Sequence, residues 1–161
     1  MRTWKQLPFS SVTGFTLIEL ILVVILFAFA STSILFILNN QQLGNLEGDA
    51  EIVSNTLQEA QNRAAFALEG VPWGVHFDNA TTTPFYAIFP GTTYSAPSST
   101  RYLSGLVEFQ APASGTSTDI VFSRINGTVT TTVSIVIRLK TDTTKTKTVS
   151  VSTQGKITVT E

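Results

Sequence analysis

Between Phe15 and Leu38 the chain carries no Lys, Arg, Asp, His or Pro, and Glu19 is the only charge in that apolar stretch. A helix over these residues is long enough to cross a bilayer. A carboxylate inside such a helix costs about 2.5–3.5 kcal/mol at its centre, so it calls for a partner and a purpose. If the chain is cut after Gly14, the new α-ammonium of Phe15 lies four residues from Glu19, one helical turn away on the same face. That ammonium, on this chain or a neighbouring one, neutralises the carboxylate.

The segment before the apolar run, Met1 to Gly14, holds Arg2 and Lys5 and no acid. The positive-inside tendency therefore puts it in the cytoplasm and the rest of the chain outside. Two plain readings of the apolar run are open. One is a secretory signal with a basic n-region and a small-residue cut near Ala28-Phe29-Ala30. The early carboxylate opposes it, as does the apolar run that continues through Ile34 to Leu38. The other is a simple membrane anchor.

Beyond Leu38 the polar sequence has a helical rhythm first. Leu46, Ala50, Val53, Leu57, Ala60, Ala64 and Leu68 recur at spacings of four and three, an apolar stripe that needs a sheet to cover it. Gly44 and Gly48 predict a bend or local loosening, each costing roughly 1 kcal/mol relative to Ala in a helix. Gly70 and Pro72 predict its stop.

From Trp73 the pattern becomes β-like. Trp73 to Phe77 and Phe85 to Phe89 flank a turn-rich segment and predict a hairpin, and Pro90 to Arg101 predicts a surface loop. Further strands are expected at Leu106 to Phe109, Ile120 to Ser123, Thr128 to Leu139, Thr146 to Ser152 and Ile157 to Thr160. Asn126-Gly127 predicts a tight turn joining two of them. Val133, Ile135, Ile137 and Leu139 alternate with more polar residues, as a strand with one buried face requires.

Four segments result: a basic leader at 1–14, a transmembrane helix at 15–38, its amphipathic continuation at 39–70, and an extracellular β-rich domain at 71–161. The fold class is α+β, a long N-terminal helix whose stripe needs a sheet, followed by a β-rich domain. Cysteine is absent, which excludes disulfides and thiolate metal sites, so the exported domain rests on its core alone. Twenty of the 25 threonines fall at or after Thr81, as suits the solvent face of strands.

The eight residues Thr13-Gly14-Phe15-Thr16-Leu17-Ile18-Glu19-Leu20 closely resemble the signal at the mature N-terminus of type IV pilins and type II secretion pseudopilins. The resemblance implies that a prepilin peptidase cuts between Gly14 and Phe15, and that Phe15 becomes the N-methylated first residue. It implies too that Glu19 guides assembly by meeting the amine of an adjacent subunit. Trp73 to Phe77, Phe85 to Phe89, Ile120 to Val129 and Gly155 to Val159 are similar, more loosely, to strands of the GspH/FimT type of minor pilin and pseudopilin, which implies the pilin fold, a long N-terminal helix packed on an antiparallel sheet or β-sandwich-like domain. The implied partners are other pilin or pseudopilin subunits, the prepilin peptidase/methyltransferase, an inner-membrane assembly platform and membrane lipid. The implied location is the bacterial cytoplasmic membrane, single-pass with the N-terminus inside, and then a cell-surface or periplasmic filament. The sequence departs from many pilins in lacking a proline in the membrane helix and a cysteine-bounded loop.

Nothing in the sequence carries a catalytic constellation or a cofactor motif. His76 is the only histidine, so zinc lacks ligands, and no nucleophile-elbow sequence accompanies the serines. Asp78-Asn79 and Asp142 are too isolated for a calcium loop. Asn79-Ala80-Thr81 and Asn126-Gly127-Thr128 match the glycosylation pattern and read better as turns. Arg138, Lys140, Lys145, Lys147 and Lys156 form a late basic group. In a membrane-anchored surface module they would grip nucleic-acid phosphates; otherwise they keep a hairpin soluble and guard an edge.

Overall fold

The computed structural model describes Gly14 and residues 16–161, except for the side chains of residues 30–41. Residues 1–13 and Phe15, and with them the methylation site and all of the leader but Gly14, lie outside the described residues. The chain divides into two compact units, residues 1–39 and 40–161.

The first unit is helical from Leu17 on, at the start of helix α1 (Leu17–Ala65). From Leu17 to Phe29 the side chains lie on the surface, apolar except for Glu19. Among the described residues no helix is long and apolar enough to cross a membrane. The expected spanning segment, 15–38, lies partly outside them, since Phe15 and the side chains from Ala30 to Leu38 are not described.

The second unit begins with the remainder of α1, which passes Gly44 and Gly48 without losing its helical assignment. Leu46, Ala50, Val53, Leu57, Ala60 and Ala64 are all buried, so the predicted stripe is the helix's packing face. The stripe stops at Ala64. Leu68 was expected to continue it and is half exposed, because α1 ends at Ala65 and a short 3-10 turn (Leu68–Gly70) follows. Ala67, Glu69 and Gly70 take positive φ there, which redirects the chain away from the helix axis.

Eight strands follow: β1 (Trp73–Asp78), β2 (Phe85–Pro90), β3 (Ser99–Tyr102), β4 (Val107–Ala111), β5 (Ser117–Phe122), β6 (Val133–Leu139), β7 (Thr146–Val151) and β8 (Ile157–Thr160). They form two four-stranded sheets, β3-β2-β1-β5 and β4-β6-β7-β8, antiparallel throughout. The predicted hairpin is β1 and β2, paired from Trp73 opposite Pro90 to Asp78 opposite Phe85. The Pro90–Arg101 loop is corrected in part: its end is strand β3, whose short exposed run has little apolar signal to betray it.

The strand expected at Thr128 begins only at Val133. Asn126-Gly127 does make a tight turn, with the Gly127 N–H donating to the Ser123 carbonyl at 3.0 Å. It does not join paired strands, however, because β5 and β6 belong to different sheets.

One core serves the helix and both sheets. Val75, Phe77, Tyr86, Ile88, Ile120 and Phe122 from the first sheet meet Phe109, Ile135, Ile137, Leu139, Val149 and Val151 from the second, with the α1 stripe among them. The first sheet is also covered behind. Phe89 lies over Gly74, where a Cβ would come within 2.8 Å of the phenyl ring. Tyr94 sets its ring edge-on against Phe89 and stacks on His76, centroids 5.5 and 3.9 Å apart. Such double coverage explains why β1 and β2 are near-continuous apolar runs rather than alternating ones.

Candidate assembly site

α1 starts where Thr16 can cap it. The Thr16 hydroxyl accepts the Glu19 N–H at 3.4 Å, and the Thr16 carbonyl accepts the Leu20 N–H at 3.2 Å. Thr16 and Glu19 thus occupy the first and last positions of the Thr-x-x-Glu pattern found at helix starts. Glu19 falls in the first turn, where unpaired amide groups favour a negative charge. Its neighbours Leu17, Ile18, Leu20 and Ile21 are exposed hydrocarbon. Gly14 is exposed two residues before the cap. The capping role of Thr16 was not read from the sequence, although the spacing Thr-Leu-Ile-Glu displays it.

This arrangement presents a single carboxylate on an apolar helical surface, a setting in which one opposite charge would be a strong and specific partner. No described group of His, Asp and Glu can hold a metal ion. His76 is buried among partners, with Nδ1 2.5 Å from an Asp119 oxygen and Nε2 3.8 Å from an Asp78 oxygen. Asp78 also accepts the Ala80 and Thr81 N–H groups, and Asp142 accepts the Thr144 N–H and hydroxyl, so both carboxylates hold turns. The Thr144 bonds keep the Asp142 carboxyl below the usual carboxylate range.

No protein-family profile and no curated protein matches this sequence. Solved structures do. The type IV minor pilin FimU of Pseudomonas aeruginosa is similar in two crystal forms, at 19% and 17% identity with TM-scores of 0.52 and 0.54. These matches cover 72% and 73% of this chain and 93% and 90% of FimU. The minor pseudopilin EpsH from the type 2 secretion system of Vibrio cholerae is similar at 15% identity and a TM-score of 0.52, over 72% of this chain and 96% of EpsH. This chain has the pilin fold.

On that pilin fold the basic residues do not form one free patch. Arg138, Lys140, Lys145 and Lys147 do gather at the β6–β7 hairpin end, whereas Lys156 lies in the turn at the other end of β7. Arg138 Nε is 2.8 Å from Glu108, and Lys147 Nζ is 3.0 Å from Glu161 and 3.8 Å from Glu47. The Lys140 ammonium donates to the Gly105 carbonyl at 2.9 Å. Lys147 in turn holds the Glu161 carboxyl below its usual range. A phosphate backbone at this end would meet Arg138, Lys140 and Lys147 already holding these contacts. Asn79 is likewise engaged, donating to the Pro112 carbonyl at 2.8 Å.

Proposed function

We propose that this chain is a minor pilin or pseudopilin subunit that assembles into a type IV pilus-like or type II secretion filament. The carrying observation is Glu19, the one charge on the exposed apolar surface from Leu17 to Phe29, set in the first turn of a helix that continues into a pilin-fold domain. Cleavage between Gly14 and Phe15 frees the amine that pairs with Glu19 of an adjacent subunit. The helix then exchanges lipid for like helices, and the β-sheets face outward.

In this reading the chain is a structural component rather than an enzyme. The peptidase/methyltransferase and the assembly platform act on it, and membrane lipid holds it beforehand with its N-terminus inside. Replacing Gly14 by a bulky residue tests the processing step: an unprocessed, longer chain is expected, and normal cleavage would overturn it.

A further inference from the structure

The two sheets expose four edge strands, and three of them carry features that discourage pairing. β3 and β8 have four residues each, β3 with Arg101 on it, and β4 has a bulge between Phe109 and Ala111. β5 differs. It runs six residues in unbroken register with β1, and it holds no lysine, arginine or proline.

The direction of its backbone groups follows from its ends. The Thr116 carbonyl accepts the Asn79 N–H, which fixes even-numbered residues toward β1, and the Ser123 N–H donates away from β1 to the Thr128 carbonyl. Residues two apart along a strand share a side. The N–H and C=O groups of Asp119 and Val121 therefore face away from β1, and among the described residues they have no backbone partner.

Those groups open onto a cleft of about 670 Å³. The irregular chain of Val129, Thr130 and Thr131 also lines it, together with Pro72. We propose that this cleft accepts one extended peptide segment of a partner protein, which adds to the first sheet as a strand beside β5. Main-chain hydrogen bonds to Asp119 and Val121 give affinity, and the lining selects alternate side chains. Small or β-branched residues suit the wall of Val129, Val133 and threonines. A cation suits Asp119, the only charged residue lining the cleft, whose side chain stays about one-third exposed beside His76. Pairing of β5 with β5 of a second copy is disfavoured, because both edges face the same lining of Val129, Thr130 and Thr131.

The test uses the full chain in detergent micelles and an acetylated peptide of alternating valine and threonine with one central lysine. Two further versions are N-methylated on alternate amides, one in each phase. Backbone hydrogen exchange at Asp119 and Val121 is expected to slow about tenfold or more with the plain peptide, with no change along β3. One methylated phase is expected to abolish the protection and the other to retain it. No protection at millimolar peptide, or equal behaviour of the two methylated phases, would overturn the proposal.

Discussion

The Gln61 carboxamide donates to the Gly155 carbonyl at 2.8 Å, and the same nitrogen reaches the Gly127 carbonyl at 2.9 Å. One helix side chain thereby ties together the turn after β5 and the turn before β8, which belong to different sheets. The turns meet so closely that a Cβ at Gly155, where φ is +81°, would overlap both the Gly127 carbonyl and the Gln61 amide. Gly155→Ala is expected to destabilise the domain by about 2–4 kcal/mol, and Gln61→Ala, which strands two carbonyls, by about 1–3 kcal/mol. Urea unfolding of the chain in micelles measures both, and a loss below 0.5 kcal/mol for Gly155→Ala would contradict the close approach.

Ile125 makes the opposite prediction. A β-branched residue at φ +74° is strained, and its side chain is 64% exposed, so it gains little packing in return. Ile125→Gly is expected to raise stability by about 1 kcal/mol, read as a higher urea midpoint at unchanged slope. A lower midpoint would mean that the isoleucine packs more than its exposure indicates.

Tyr86 links stability to alkaline pH. Burial, with the Asp49 carboxylate as a lesser cause, pushes its phenol up to about 12 from an ordinary 10. The folded protein thus keeps a proton that the unfolded chain releases. This stabilisation is complete below pH 10 and is lost as pH rises toward 12, on the order of 2 kcal/mol in total. Other groups titrate there too, so the comparison is with Tyr86→Phe, which is expected to lose less stability between pH 9.5 and 11.5. Equal losses would contradict the shift.

Much of this architecture was legible because periodicity survives wherever one face is buried. Ala50, Val53, Leu57 and Ala60 announced the helix face, and Val133 to Leu139 announced β6. β3 escaped because Ser99, Thr100 and Arg101 make a polar edge with no buried alternation to detect. The helix end was misplaced because Leu68 fits the stripe by spacing while the backbone turns away at Ala67. Gln61 gave no sign of its role, since a glutamine bordering an apolar stripe looks the same whether it meets water or two carbonyls 66 and 94 residues away. At the candidate site Glu19 was conspicuous against its apolar surroundings, whereas Thr16 was masked by its place in the same short segment.

The central claim is that Glu19 works in assembly. The most direct measurement is incorporation of Glu19→Ala into filaments, quantified in sheared surface or periplasmic fractions against the amount inserted in the membrane. The account predicts at least a tenfold loss of incorporation with membrane insertion unchanged, an effect of about 1.4 kcal/mol or more on the assembly equilibrium. Incorporation at the parent level would contradict it.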